Sequence, residues 1–383
     1  MRNILYPILL ALTAVCLQSG CSASLGLNRE KADKVRTEVS AEWFNRAKAA
    51  TDYIAEQNAV VLDSLRMPLH ISVYGELPEG GRSLYISLHG GGNIPKELND
   101  SQWRNQWNLY RPKEGVYICP RAPYDDWNMH FKDGLDEFYK QIILFAYTHL
   151  DVNPDRVYLL GYSAGGDGVW RLAPRMADTW AAASMMAGHP GDVSLLNLMN
   201  LPFMVWCGAL DDAYGRNREC AKRIAELDSL QNVSDGGFVH EGHIVEGKPH
   251  WMDQVDTLAI DWMAKYTRNP YPKQIVWRQE EILHDSFYWI IVPKEEMERG
   301  REVRLSVEGN VINIEKCDYS SVTLCLNDSI ADMDKPVRVM YRHALILHEG
   351  KLKRTRAAME RTLHDRSDAR YIFDCELTVN IPK

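Results

Sequence analysis

The chain has 383 residues, 45% of them hydrophobic and 25% charged. That is the composition of an ordinary globular protein, and the length is enough for two domains. Lys and Arg number 44 against 52 Asp and Glu, a formal net charge of −8 with no acidic block. Nucleic acid and anionic membrane surfaces reward clustered Lys and Arg, so both are set aside as partners.

At the N-terminus, Arg2 precedes an apolar run over residues 4–15 that is too short to span a bilayer. It ends in Leu17-Gln18-Ser19-Gly20-Cys21, which resembles a bacterial lipobox, with Gln18 a less usual occupant of its position. The resemblance implies that residues 1–21 are a lipoprotein signal peptide, cleaved so that Cys21 begins the mature chain and carries lipid. The polar stretch over residues 28–34 then reads as part of a tether covering residues 22–40. The expectation is an exported protein, held to a bacterial envelope membrane by its lipid alone. Cys16 leaves with the signal, and Cys119, Cys207, Cys220, Cys317, Cys325 and Cys375 remain. Export permits disulfides, with Cys317–Cys325 and Cys207–Cys220 as candidate pairs. None has CxxC spacing, so no zinc site is expected.

Apolar residues recur at helical spacing over residues 41–65. Short β-prone runs follow at residues 84–88, 116–119 (closed by Pro120), 156–160 and 203–207, with helical stretches at 136–150 and 168–177. Strands alternating with helices predict βαβ units and a mostly parallel sheet, an α/β fold. A further helix is predicted over residues 253–266. Asn269-Pro270-Tyr271-Pro272 then marks a linker. Beyond it the chain reads as strands at 275–277, 287–292, 303–307, 311–314, 322–326, 337–341 and 371–379, with one helix at 356–363. The expected organisation is a catalytic domain over residues 41–268 and a β-rich accessory domain over 273–383.

Gly161-Tyr162-Ser163-Ala164-Gly165 fits G-x-S-x-G directly after a predicted strand and before a helix. A serine in that setting sits on a strained turn that only flanking glycines accommodate, with its hydroxyl exposed as a nucleophile. His89-Gly90-Gly91-Gly92 ends an earlier strand, where backbone N–H groups can face a developing oxyanion. Gly91 and Ala164 are the candidate donors. Asp211 and Asp212 follow the 203–207 strand as candidate acids, with Asp211 preferred. His243 and His250 follow as candidate bases, with His250 preferred because it lies on a tight loop just before a helix. Trp127 and His189 are taken as substrate-contacting residues; Tyr214 and the indoles of Trp103, Trp107 and Trp251 are further candidates for a pocket wall.

With these motifs in order, the chain resembles the α/β-hydrolase superfamily over residues 70–266. It is nearest to bacterial esterases of the dienelactone-hydrolase, polyhydroxybutyrate-depolymerase and feruloyl-esterase type. The matching stretches are residues 88–92, 120–128, 157–167, 208–217 and 247–253. The resemblance implies a Ser163–His250–Asp211 triad that cleaves carboxylic esters through an acyl-enzyme, with no metal or organic cofactor. Dienelactone hydrolases proper carry cysteine where this chain has Ser163, which points away from dienelactones. Acylated glycans, polyesters and small esters all suit the motif set. A serine peptidase of the prolyl-oligopeptidase type shares the triad order, but too few residues precede His89 for its gating domain. A third reading is a non-catalytic glycan-binding lipoprotein whose β domain does the work, with Tyr288 and Trp289 as a sugar platform. The sequence carries no signal for oligomeric state.

Overall fold

A computed structural model describes residues 26–382. The signal peptide and Cys21 lie outside the described residues. The first described element is α1 (Arg29–Gln57). An eight-stranded sheet follows, made of β1 (Ala59–Leu62), β2 (Leu65–Tyr74), β3 (Arg82–Leu88), β4 (Gly115–Pro120), β5 (Val152–Tyr162), β6 (Ala182–Met186), β7 (Phe203–Gly208) and β8 (His240–Val245). Between these strands run α2 (Lys96–Gln106), α3 (Leu135–His149), α4 (Ala164–Arg175) and α5 (Arg216–Asn232); α6 (Leu258–Met263) follows the last strand.

The strand order is β1-β2-β4-β3-β5-β6-β7-β8. β3 pairs in parallel with both β4 and β5, and every pair from there to β8 is parallel. β1 and β2 add an antiparallel edge. Parallel strands covered on both faces have no solvent side, so they read as unbroken apolar runs. β4, β6 and β7 are buried along their whole length. The chain leaves β3 for β4 on one side and returns to β5 on the other, which makes the C-terminal ends of β3 and β5 the switch point of the sheet. In open α/β sheets that crevice is where ligands bind. Leu88 pairs with Gly161, so the motifs after β3 and β5 emerge level with one another.

Past residue 270 the chain forms two smaller sheets. β9 (Gln274–Arg278), β12 (Glu302–Glu308), β13 (Val311–Cys317), β15 (Val337–Tyr341) and β16 (Leu345–Gly350) make the first, with β10 (Ser286–Phe287), β11 (Ile290–Ile291), β14 (Ser321–Leu326) and β17 (Cys375–Asn380) in the second. α7 (Arg356–Arg366) precedes β17. One continuous apolar core runs from the large sheet into these, joining Trp170 and Phe203 to Trp277, Trp289 and Val303. Two buried polar networks cross the same boundary. Arg268 binds Asp155 at 3.0 Å and Asp368 at 2.6 Å, and Asp136 meets Arg175 at 2.5 Å and His284 at 2.9 Å. The Pro270–Pro272 segment is therefore packed, with the Trp289 indole donating to the Pro272 carbonyl.

Several expectations are corrected. Residues 29–40, read as tether, are the first turns of α1. Asn28 caps that helix by accepting from the Lys31 N–H at 2.9 Å. Ala32, Val39, Trp43, Ala47 and Ile54 form its buried stripe, and the first four of these pack with Met359 and Leu363 of α7. Polar residues of these first turns tie the helix to the rest of the protein: Arg36 binds the buried Asp374 at 2.6 Å and Arg356 of α7 binds Glu38 at 2.9 Å. The helix predicted over 41–65 ends at Gln57, and residues 59–62 and 65–74 are strands instead. The six described cysteines are all free and buried, so neither candidate disulfide is present. Tyr288 and Trp289 are 1% and 0% exposed and cannot form a sugar platform.

Candidate active site

Ser163 stands alone between β5 and α4 with φ 58° and ψ −120°, a strained conformation for any residue with a side chain. Its N–H donates to the Met186 carbonyl on β6 and its own carbonyl accepts from Asp167, so the turn is held from both sides. Glycine is obligatory at 165, where an added Cβ would collide with the Leu88 carbonyl of the neighbouring strand. This close approach brings the start of α4 against the end of β3.

His250 lies on the loop between β8 and α6. Its Nε2 is 2.9 Å from Ser163 Oγ, and its Nδ1 is 2.7 Å from Asp211 Oδ2. A carboxylate only accepts, so Nδ1 carries the proton and Nε2 is left to accept from the serine hydroxyl. The Asp211 side chain, just past β7, is 1% exposed. Among the candidate pairs the geometry brings Asp211 and His250 to the serine and leaves the others away from it. Asp212 is exposed and pairs with Arg218 at 2.6 Å, while His243 lies on β8, stacked on Trp206 at 3.9 Å. Tyr162, which sequence reasoning passed over, secures the histidine loop. Its hydroxyl donates to the His250 carbonyl at 2.5 Å and accepts from the Met252 N–H at 3.2 Å. Ser163, His250 and Asp211 thus converge from the ends of three parallel strands. The fold is that of an α/β-hydrolase.

The glycine loop after β3 faces the serine. A Cβ on Gly90 would sit 3.4 Å from Ser163 Cβ. Gly91 has φ 114°, and a Cβ there would run into Asn99 Oδ1, the atom that accepts the Gly92 N–H at 2.9 Å. Among the described residues the Gly91 N–H has no partner, and the Ala164 N–H opens α4. Both are free in the way an oxyanion site requires. His89 fixes the direction of the first. Its Nε2 accepts from the Ala122 N–H at 3.2 Å, so Nδ1 holds the proton and donates to the Gly90 carbonyl at 2.7 Å. Gly90 C=O and Gly91 N–H belong to one trans peptide and point opposite ways, so anchoring one aims the other. Burial pushes the His89 imidazole well below its ordinary value and keeps it neutral. His130 donates in turn to the His89 carbonyl at 2.8 Å, and burial lowers it to about 4.

Ser163 sits where two hollows meet. One, of about 660 Å³, is lined by Gln102, Asn105, Asn108, Gln254 and Trp251. The other, of about 580 Å³, holds Trp127, Asp167, Arg171, His189, Tyr214 and Arg216. Trp127, His189, Tyr214 and Trp251 therefore stand at the serine. Trp103 and Trp107 lie outside both hollows; they buttress the sheet edge, Trp103 donating to the Cys119 carbonyl and Trp107 stacking on His70 at 4.1 Å. Arg216 and Arg171 carried no sequence signal, because nothing in a linear reading places α5 beside α4.

The chain matches no protein-family profile and no curated protein. Solved structures similar to it include a thermostable esterase, at 19% identity and TM-score 0.43, aligned over 55% of this chain and 62% of that one. Another is a fluorophosphonate-binding serine hydrolase of Staphylococcus aureus, at 14% identity and TM-score 0.38, over 54% and 96%. A third is the feruloyl esterase module from Clostridium thermocellum, at 13% identity and TM-score 0.39, over 54% and 86%. The chain spans less than two thirds of the thermostable esterase. The aligned share of this chain is little more than half in each case.

Proposed function

We propose that the protein is a serine hydrolase of carboxylic esters, working through an acyl-enzyme on Ser163. One observation carries this reading: the unbroken hydrogen-bonded line from Asp211 through His250 to the hydroxyl of a serine held at positive φ. In the mechanism, His250 Nε2 takes the Ser163 proton as Oγ attacks the ester carbonyl. Asp211 stabilises the imidazolium and fixes its orientation. The N–H groups of Gly91 and Ala164 hold the carbonyl oxygen as it gains charge. His250 then passes its proton to the departing alkoxide, and water repeats the sequence to release the acid. The reading calls on no cofactor.

The amide-lined hollow supports an acylated glycan as substrate. Side-chain amides donate and accept at once, which suits hydroxyl-rich ligands, and Trp251 offers an exposed ring for stacking. We further propose that the mature chain begins at lipidated Cys21 and works at a bacterial envelope membrane. Metabolic labelling with an alkyne fatty acid, lost in Cys21→Ser, tests that part alone.

The catalytic reading is tested with a fluorophosphonate probe and an aryl acetate. Wild type takes up the probe at Ser163, and Ser163→Ala lowers turnover by roughly four to six orders of magnitude. Turnover within tenfold of wild type refutes the assignment. Faster cleavage of an amide than of its matched ester favours a peptidase instead.

A further inference from the structure

The first hollow carries one arginine, Arg104, whereas the second holds two, Arg171 and Arg216, beside Asp167. Arg171 reaches it from α4 and Arg216 from the start of α5, between the exposed rings of Trp127 and Tyr214. Neither guanidinium has its bonding capacity filled. Arg216 Nε is shielded from solvent without a hydrogen-bond partner. Its nearest carboxylate oxygen, Asp211 Oδ1, is 3.5 Å from Nη1, beyond a charge-assisted bond, and Asp211 Oδ2 is engaged by His250. Arg171 donates from Nη1 to the Pro190 carbonyl, and its nearest carboxylate, Glu281, is 4.0 Å from Nε. Each guanidinium also stands over a ring, Arg216 at 5.0 Å from Tyr214 and Arg171 at 5.3 Å from Phe131, but a ring face carries no net charge, so the pair still lacks a closely bonded anion.

The acidic groups facing the same arginines do not supply one. Asp167 spends Oδ1 on the His189 N–H at 2.6 Å, and burial raises its pKa. Asp192 is paired with Arg299 at 2.7 Å, and burial pushes Glu280 up to about 7. Desolvation likewise lowers Arg171 itself.

We propose that this hollow receives a carboxylate carried by the ester substrate, gripped between Arg171 and Arg216 while Trp127 and Tyr214 cover the adjoining carbon skeleton. The substrate class is then an ester bearing an acid function, such as a half ester of a diacid or an ester of an acidic alcohol. The inference rests on Ser163 acting as the nucleophile, because the hollow opens directly onto it.

The test compares charged and neutral esters of matched shape with purified protein. On the acyl side the pair is mono(para-nitrophenyl) adipate against para-nitrophenyl hexanoate; on the alcohol side it is meta-carboxyphenyl acetate against phenyl acetate. For one of the pairs, kcat/KM favours the carboxylate by roughly tenfold to a hundredfold, the range of a charge-assisted contact to a partly buried arginine. That preference shrinks as salt is raised and collapses toward unity in Arg171→Gln. Each ratio is internal to one preparation, so poor folding of the variant does not imitate the result, and the wild-type ratio is decisive alone. Turnover of the neutral esters with no carboxylate preference in either pair overturns this inference and leaves the esterase reading standing. No turnover of any ester, with no probe at Ser163, overturns both.

Discussion

Replacing His89 with leucine isolates what the imidazole does for the oxyanion site, because it touches neither Ser163 nor His250. The change removes the donor to the Gly90 carbonyl and the acceptor for the Ala122 N–H, both buried. Leaving two such groups unpaired costs about 1–3 kcal/mol each in stability. The kinetic effect is separate. A misdirected oxyanion donor costs about a hundredfold to a thousandfold in kcat when lost outright. Here the Gly92 N–H stays anchored on Asn99 and the Ala164 N–H is untouched, so the Gly91 donor is loosened rather than deleted. A fall in kcat of about 30- to 100-fold is expected, with KM little changed, since the contact matters only as charge develops. His89→Asn keeps a donor near the Gly90 carbonyl and recovers kcat to within roughly tenfold of wild type. The assay is steady-state hydrolysis of para-nitrophenyl acetate on protein shown to be folded by near-UV circular dichroism. It is paired with inhibition by an alkyl boronic acid, whose serine adduct places an oxygen where the oxyanion forms. The inhibition constant should rise in step with the loss in kcat. A folded His89→Leu with kcat within threefold of wild type refutes the reasoning.

Asp211→Asn removes the fixed acceptor for His250 Nδ1 and lowers kcat by roughly three to four orders of magnitude, whereas Asp212→Asn, at an exposed ion pair, changes it by less than about threefold; equal effects from the two contradict the placement of the acid. Burial raises the Glu280 carboxyl from an ordinary 4.5 to about 7. The unfolded chain therefore loses this proton first as pH rises, and the stabilising contribution is full below pH 4.5 and lost on passing pH 7. The swing is about 3 kcal/mol, so Glu280→Gln, measured by urea unfolding at pH 5 and pH 8, gains on wild type only at the higher pH. Val39→Asp places an uncompensated charge in the contact between α1 and α7 and destabilises the fold by about 3 kcal/mol or more; a chain indifferent to it would behave as though residues 29–40 were a tether after all.

The parallel strands were legible because burial on both faces leaves a mark in the sequence itself: the runs at 116–119 and 203–207 are apolar throughout, that at 84–88 is broken only by Ser87, and they fall inside β4, β7 and β3. Ser163 and the glycine loop were legible for a related reason, since their backbone conformations admit few residue types. β2, β8, α2 and α5 gave weaker signals. β8 reads HEGHIV, with no residue fully buried, because it closes the sheet at its edge. α5 has only Cys220 and Leu227 buried over its whole length, too sparse for a periodic stripe. α1 failed for a different reason: its inner face is satisfied by Ala32 and Val39, which look unremarkable in a polar stretch until α7, more than 300 residues later in the chain, is set against them. The same limit hid the arginine hollow and Tyr162, whose roles come from partners distant in sequence.

The ion pairs of Arg268 lie at the boundary between the large sheet and the two smaller ones, on top of an apolar core that does not stop there. Cutting the chain just after Arg268 would strip one wall from that core, take Asp368 away from Arg268, and leave the buried Asp178 carboxylate without the Arg366 guanidinium that binds it. The molecule should accordingly melt in a single cooperative step. Its last hundred or so residues are then better regarded as part of the scaffold beneath the large sheet than as a detachable module, so no shorter folded version of the protein is to be had by trimming them.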